Sequence, residues 1–421
     1  MADVTLRVLP KRKYALIRPS FRPDAERVAC PDCGLIQLLP IVAGGKIAVC
    51  QRCDGTLAGP ARGRVEAPLA LAGAAFLLLL AAVVWPLMTV SSLGAQRESW
   101  LGTCVSALWN QGFLSLASLV AVFTVVLPCI YLSALLWTLA ALRFDIGGPA
   151  VGGLFRWVQH LRPWMMIEVY LVGCFVAYSR IKVVSTIEIG VGGWCLLGAS
   201  LLFLLTLTQL DERTVWEALP VKAVVGDGRE TIACTTCDLI ATAVHDGSRC
   251  PRCGATLHIR KPDAIRRTTA LVITGFLLYV PANVIPVLTT VRLGRADENT
   301  IMSGVLELVH NDLWPLAIIV FSASIILPLL KLCGLTWMLL ATRLRSRRLL
   351  VGRTRFYRMI DLVGRWSNID VFAVSVLIAA LRFGALTEVH AGNGLVAFAA
   401  VVIITMIATS SFDTRLMWDA A

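Results

Sequence analysis

Long apolar segments alternate with short polar ones along most of the 421-residue chain. A helix of about 20 predominantly apolar residues is long enough to cross a lipid bilayer. Two of the eight apolar runs are short and need flanking residues to reach that length. The pattern predicts eight transmembrane helices, at residues 68–90, 114–142, 165–177, 190–210, 270–291, 313–341, 369–381 and 395–409.

The second half of the chain repeats the first after about 200 residues. Residues 85–89 (Trp-Pro-Leu-Met-Thr) match 285–289 (Ile-Pro-Val-Leu-Thr), and 126–128 (Val-Leu-Pro) match 326–328 (Ile-Leu-Pro). Because each repeat has four crossings, an even number, both repeats must have the same orientation in the membrane. The sequence therefore predicts two parallel units.

The expected fold is an α-helical polytopic membrane protein in which each four-helix unit follows a small zinc ribbon. We expect the N-terminal tail and ribbon 1 at residues 1–67, and transmembrane unit 1 at 68–212. A linker with ribbon 2 follows at 213–267, and transmembrane unit 2, with a short C-terminal tail, occupies 268–421.

Composition and charge support a membrane protein and predict its orientation. Apolar residues make up 57% of the chain and charged residues 16%, which excludes a soluble enzyme, a disordered chain and a disulfide-stapled secreted domain. Eight arginines lie between the sixth and seventh runs, and the first 29 residues are basic and show no signal peptide. Basic loops stay in the cytosol, so both termini and the linker are expected there. The net charge of +12 follows from this topology, and no nucleic-acid partner is expected.

Eight of the 13 cysteines form four Cys-x-x-Cys pairs, two before each unit. Two such pairs at this spacing can place four thiolates around one zinc ion. A reducing cytosol favours metal over disulfide. We therefore predict two structural zinc ions, with a thiol redox site as the alternative. The expected ligands are Cys30, Cys33, Cys50 and Cys53 in ribbon 1, and Cys234, Cys237, Cys250 and Cys253 in ribbon 2.

Ionisable residues inside apolar runs are candidate functional residues because burying them in a membrane is costly. Lys331 lies in the sixth run, and Asp370 lies about one helical turn into the seventh. We predict a Lys331–Asp370 pair with Ser367 and Thr405 as hydrogen-bond partners. The alternative is an interfacial aspartate and a lysine that extends to the membrane surface.

Unit 1 has no lysine at the matching place, so its Glu168, the counterpart of Asp370, lacks such a partner. Asn283 lies between Pro281 and Pro286 in the fifth run, which predicts a broken helix beside a cavity, or else a simple kink. No nucleotide-binding or hydrolase motif occurs, and we expect no enzymatic activity.

Three segments resemble the paraquat-inducible protein A family of proteobacterial inner membranes: 279–286 (Tyr-Val-Pro-Ala-Asn-Val-Ile-Pro), 364–372 (Gly-Arg-Trp-Ser-Asn-Ile-Asp-Val-Phe) and 412–418 (Phe-Asp-Thr-Arg-Leu-Met-Trp). The resemblance covers nearly the whole chain. It implies a partnership with MCE-domain proteins, which form tunnels across the periplasm. It also implies that phospholipids move between the inner and outer membranes, and that the protein supports envelope integrity.

The expected function is therefore to load or accept lipids for an MCE-domain partner, from a multi-pass position in the inner membrane. Three alternatives remain at this point. The chain is a scaffold that anchors or regulates its partner, a thiol redox membrane protein, or a channel for a solute or protons.

Overall fold

The computed structural model describes residues 8–10, 27–39, 46–59, 65–92, 95–146, 148–182, 185–219, 230–292, 295–381 and 387–419. The strands are β1 (Val8–Pro10), β2 (Arg27–Ala29), β3 (Ile36–Leu38), β4 (Lys46–Val49), β5 (Thr56–Ala58), β6 (Met88–Ser92), β7 (Ala95–Ser99), β8 (Thr186–Ile189), β9 (Glu230–Ala233), β10 (Ile240–Val244), β11 (Leu288–Arg292), β12 (Arg295–Asn299) and β13 (Thr387–Ala391).

The helices have the same order in both units. Unit 1 contains α1 (Glu66–Val84), α2 (Leu101–Asn110), α3 (Leu114–Ala121), α4 (Leu127–Arg143), α5 (Pro149–Leu161), α6 (Ile167–Lys182), α7 (Val191–Gln209) and α8 (Glu212–Glu217). Unit 2 contains α9 (Ala264–Val284), α10 (Ile301–His310), α11 (Trp314–Phe321), α12 (Leu327–Arg343), α13 (Leu350–Val363), α14 (Ile369–Ala380), α15 (Asn393–Ser411) and α16 (Arg415–Asp419). The order confirms the predicted tandem architecture.

In each unit a π-helical turn joins two helices into one membrane-length rod. The turn Val122–Val126 joins α3 to α4, and Ser322–Ile326 joins α11 to α12. Each turn comes just before a proline, Pro128 or Pro328. Proline cannot donate the backbone hydrogen bond that a regular α-helix requires at that position. The wider turn therefore accommodates the proline without ending the helix.

Seven helices among the described residues are long and apolar enough to cross a membrane, against the eight predicted. The exception is α9, which is 21 residues long but has Arg266 and Arg267 in its first turn and contains Pro281 and Asn283. These residues lower its mean hydropathy. Nevertheless, α9 packs along α15 as its counterpart α1 packs along α7. It also runs from ribbon 2 to the strand that follows it, β11, as a crossing helix would.

A three-stranded antiparallel sheet closes one end of each unit, and we call this end of the molecule the sheet face. The strand orders are β7-β6-β8 and β12-β11-β13. The returning strand reaches the last long helix through a glycine, Gly190 or Gly392. A Cβ atom there would come within 2.3 Å of the Pro86 carbonyl oxygen or 2.1 Å of the Pro286 carbonyl oxygen. Only glycine permits this approach of two backbones.

The two units meet where equivalent helices, α6 and α14, pack against each other. Tyr170 and Phe372 occupy equivalent positions, and their ring centroids are 5.4 Å apart. Contact between equivalent residues places the pseudo-twofold axis here. A Cβ on Gly173 would lie 2.8 Å from the Phe372 Cβ, so the glycine allows the close crossing.

Candidate functional site

Each ribbon gathers its four cysteine sulfur atoms at one buried point. All four sulfurs of each group lie within 4.8 Å of one another. The closest Sγ–Sγ distances are 3.4 and 3.5 Å in ribbon 1, and 3.6 and 3.5 Å in ribbon 2. A tetrahedral zinc site with Zn–S bonds of about 2.3 Å has sulfurs about 3.8 Å apart. Both groups therefore fit a metal ion.

Tight turns place the cysteines of each pair. The amide of the residue after the second cysteine donates to the carbonyl of the first, as from Gly34 to Cys30 at 2.9 Å. That residue has a positive φ in all four turns, and it is a glycine or an aspartate: Gly34 (+73°), Asp54 (+57°), Asp238 (+55°) and Gly254 (+69°). Glycine, and next to it aspartate, tolerates this left-handed conformation best.

Hydrogen bonds among the four thiols of each ribbon raise the pKa of two of them and lower the pKa of the other two. Hydrogen bonds from Cys30 and Cys33 lower the pKa of Cys50, and hydrogen bonds from Cys234 and Cys237 do the same for Cys250. Metal binding requires the thiolate form, so a lowered pKa assists it.

Ribbon 1 packs on unit 2, the unit that lies farther from it in sequence. Arg358 of α13 lies 2.7 Å from the Asp32 carboxylate and donates to the Cys53 sulfur at 3.2 Å. The Arg52 guanidinium stacks 4.7 Å above the Trp418 ring of α16. The N-terminal ribbon is therefore held by the last helices of the chain.

Ribbon 2 packs in the same way on unit 1. The Arg252 carbonyl comes so close to α5 that a Cβ on Gly152 would lie 2.8 Å from it. A Cβ on Gly254 would lie 3.7 Å from the Arg156 guanidinium, and Arg156 is the counterpart of Arg358. Each unit thus carries the ribbon that precedes the other unit. We call the end of the molecule that bears both ribbons the ribbon face.

Lys331 is 2% exposed in the interior of unit 2. Its Nζ donates to the Gly364 carbonyl at 2.5 Å and lies 3.4 Å from the Thr405 hydroxyl. Gly364 begins a 3₁₀ turn, Gly364–Asn368, between α13 and α14. A Cβ at Gly364 would lie 2.9 Å from the lysine Cε, so the glycine makes room for the amine. The structure thus brings together Lys331 and Thr405.

The same place in unit 1 is occupied by two aromatic rings. Tyr131 replaces Lys331 and Phe203 replaces Thr405, and these two rings pack edge to face with centroids 5.7 Å apart. The two units therefore share a backbone arrangement, but only unit 2 places an amine in it.

The predicted Lys331–Asp370 pair is wrong. Asp370 instead lies beside the Ser324 hydroxyl of the π-helical turn and faces the Arg180 guanidinium of unit 1. The reason is the 3₁₀ turn before α14. It advances three residues per turn instead of 3.6, so it rotates Asp370 away from the lysine.

Ser367 and Asn283 differ from expectation in their surroundings. The Ser367 hydroxyl is fully buried and has no hydrogen-bond partner among the described residues, so it does not bind Lys331. Asn283 donates from its side-chain amide to the Tyr279 carbonyl, 2.8 Å away in the same helix. The helix continues through Pro281 and ends before Pro286, so of the two alternatives for this place the structure does not have the broken helix.

Glu168 does have a cationic partner, in the other unit. Its Oε1 lies 3.5 Å from the Arg365 guanidinium, and the side chains are 8% and 23% exposed. Sequence reasoning missed Arg365 because it was counted among the basic loop residues, although it sits inside the Gly-Arg-Trp-Ser motif. This ion pair links the two units across the pseudo-twofold axis.

A small cavity of about 20 Å³ lies between α10, α14 and α15. Asp370, Arg180 and Thr300 contribute its polar groups, and Val374, Leu377 and Phe398 are among its apolar ones. Room for about one water molecule cannot hold an acyl chain, so a lipid would require these helices to separate.

The family model described as paraquat-inducible protein A matches residues 65–220 and 265–421, one match for each unit. The chain belongs to the paraquat-inducible protein A family. It is 31% identical over 408 residues to an intermembrane transport protein PqiA of Escherichia coli, covering 94% of this chain and 96% of that protein. No solved structure matches this chain.

Two further relatives also match over nearly their full length. A protein of Escherichia coli named lipophilic envelope-spanning tunnel protein A is 28% identical over 427 residues, covering all of this chain and 98% of the relative. A probable intermembrane transport protein of Haemophilus influenzae is 25% identical over 418 residues, covering 97% and 98%. With its membrane-length helices, the chain is a multi-pass membrane protein.

Proposed function

We propose that this protein is the inner-membrane component of a lipid transport system that loads or accepts phospholipids for a periplasmic MCE-domain tunnel protein. The observation that carries the proposal is the similarity to intermembrane transport proteins over nearly the whole chain. Such a role fits a protein whose exposed helix surfaces are apolar and whose interior contains a buried amine.

In this proposal the ribbon face lies in the cytosol and the sheet face in the periplasm, with eight crossings. The arginines of the α12–α13 connection support this orientation. The two zinc ions would be structural, since each site offers four protein ligands and leaves no position for a substrate.

We propose that four residues change their contacts during lipid transport: Lys331, Thr405, Ser324 and Asp370. They lie at the junction of the 3₁₀ turn and the π-helical turn, where helix geometry departs from regular α-helix. A change in the hydrogen bonding of Lys331 to Gly364 would shift the start of α14, and α14 lines the small cavity.

The test is in vivo photo-crosslinking to radiolabelled phospholipid, with a photoreactive phenylalanine analogue at one position at a time. The cavity probe replaces Val374, and a second probe replaces Tyr279 beside Asn283. Leu277, whose side chain is 70% exposed on α9, is the lipid-facing control.

Labelling at Val374 above the Leu277 control, and dependent on the MCE-domain partner, is the expected result. Labelling confined to Leu277 would refute a lipid path through the protein and leave it as an anchor or regulator. A thiol redox protein would instead give stoichiometric disulfide and less than two zinc ions per chain.

A further inference from the structure

A strongly basic loop connects α12 to α13 on the ribbon face, and we call residues 343–349 the arginine loop. Four exposed arginines belong to it: Arg343, Arg345, Arg347 and Arg348. Two leucines between them are also exposed, Leu344 at 78% and Leu349 at 70%. The loop therefore presents positive charge and apolar side chains together, directly where α12 ends.

A buried arginine gives the loop its shape. Arg353 is 1% exposed, and its guanidinium donates to the Ser346 carbonyl at 2.5 Å and the Arg348 carbonyl at 2.7 Å. Arg345 and Leu349 have φ of 48° and 56°, the left-handed conformation that reverses the chain. Because the Arg353 guanidinium donates to two carbonyls of the loop, it fixes the loop backbone. The other arginines therefore project outward together.

Unit 1 lacks both the charge and the buried arginine. Its connection exposes Phe144 (67%) and Ile146 (68%), with Asp145 between them. Val151 occupies the place of Arg353. The Arg143 side chain lies 3.1 Å from the Glu66 carboxylate, which offsets its charge. Each unit thus exposes apolar residues at this level, but only unit 2 adds clustered positive charge.

This combination distinguishes a lipid surface from a soluble anion. Free phosphate would contact the arginines alone, and Leu344 and Leu349 would remain exposed to water. An anionic membrane offers phosphates to the arginines and acyl chains to Leu344 and Leu349. The position of the loop at the end of a membrane-length helix places both kinds of side chain at that boundary.

We propose that the arginine loop is a binding site for anionic phospholipid headgroups in the leaflet at the ribbon face. The arginines contact the headgroups, Leu344 and Leu349 enter the acyl region, and Arg353 holds the loop. The inference goes beyond lipid transfer, because it concerns a site for resident membrane lipid and is independent of the cargo.

The test uses delipidated full-length protein in dodecyl maltoside. It is titrated with dioleoyl phosphatidylglycerol, dioleoyl phosphatidylcholine or inorganic pyrophosphate, and thermal shift and native mass spectrometry report binding. The charge variant is R345Q/R347Q/R348Q and the apolar variant is L344S/L349S. The matched control in unit 1 is F144S/I146S.

Phosphatidylglycerol should bind and stabilise the wild-type protein, whereas phosphatidylcholine and pyrophosphate should not. The charge variant should bind phosphatidylglycerol about a hundredfold more weakly. The apolar variant should bind it more weakly as well, and the unit 1 control should match the wild type. Added salt should weaken wild-type binding.

Equal binding by the wild type and the charge variant would overturn the proposal. Pyrophosphate matching phosphatidylglycerol would also overturn it, in favour of a soluble anion. An equal loss in the unit 1 control would show that general exposure of apolar residues is responsible. Lipid-free melting temperatures and zinc contents equal to wild type confirm that each variant is folded.

Discussion

Lys331→Met should abolish lipid transfer without reducing stability. The substitution removes the hydrogen bond to the Gly364 carbonyl and the contact with Thr405. Leaving a buried carbonyl unpaired costs about 1–3 kcal/mol. Removing an ionisable side chain from a membrane interior saves about 2.5–3.5 kcal/mol on insertion scales. The two free-energy changes nearly cancel, or their sum stabilises the variant. Its apparent melting temperature should therefore equal or exceed that of the wild type.

Tyr131→Met is the control for this experiment, since it alters the same place in unit 1. It removes the ring that packs 5.7 Å from Phe203, so it should lower the melting temperature. Lipid transfer by this variant should decrease only in proportion to the loss of folded protein. The assay measures phospholipid movement between two populations of liposomes in the presence of the MCE-domain partner, alongside melting curves in detergent. Wild-type transfer by Lys331→Met would refute the reasoning. A clear loss of stability would show that the lysine is structural.

Three further predictions concern the ribbons and the ion pairs. Cys237→Ser should reduce bound zinc from about two ions to one per chain and lower the melting temperature, as measured by metal analysis and thermal unfolding. Glu168→Gln and Arg365→Gln should show a coupling free energy of about 1–3 kcal/mol in a double-mutant cycle, since the partners are mostly buried, and a value near zero would exclude an energetic link between the units. Burial opposes ionisation of Asp413, but hydrogen bonds from Arg415 prevail and lower its pKa. Its contribution to stability is therefore complete above the unfolded pKa of 3.8 and is lost as pH falls through the lower folded value. Asp413→Asn should lack that contribution and its pH dependence in thermal unfolding.

The repeat and the metal groups could be predicted because their determinants are local in sequence. A run of apolar residues fixes helix length, and Cys-x-x-Cys followed by glycine or aspartate fixes a tight turn. Equivalent segments such as 126–128 and 326–328 then give equivalent structures.

The arrangement of the buried polar groups could not be predicted from helix depth alone. Counting along straight α-helices placed Asp370 opposite Lys331. The 3₁₀ turn at Gly364–Asn368 and the π-helical turn at Ser322–Ile326 both change rotation within a few residues. A hydrophobic pattern assumes a regular α-helix throughout each run and does not encode such changes of helix type.

The packing of each ribbon on the other unit could not be predicted from the sequence either, because it depends on contacts between residues that are distant in the chain. Asp32 and Arg358 are both charged residues in basic surroundings, and nothing in their local sequence specifies that they pair. Because of the internal repeat, Arg156 of unit 1 is an equally suitable partner for a ribbon, so the sequence does not show which ribbon packs on which unit.

This packing also bears on how the protein matures during synthesis. Ribbon 1 leaves the ribosome first, yet the helices that hold it, α13 and α16, are made near the end. Ribbon 1 can therefore dock only after the intervening helices have been inserted into the membrane. Ribbon 2, by contrast, follows directly behind unit 1 and can dock at once. The contact between ribbon 1 and Trp418 can thus form only after both units have been synthesised.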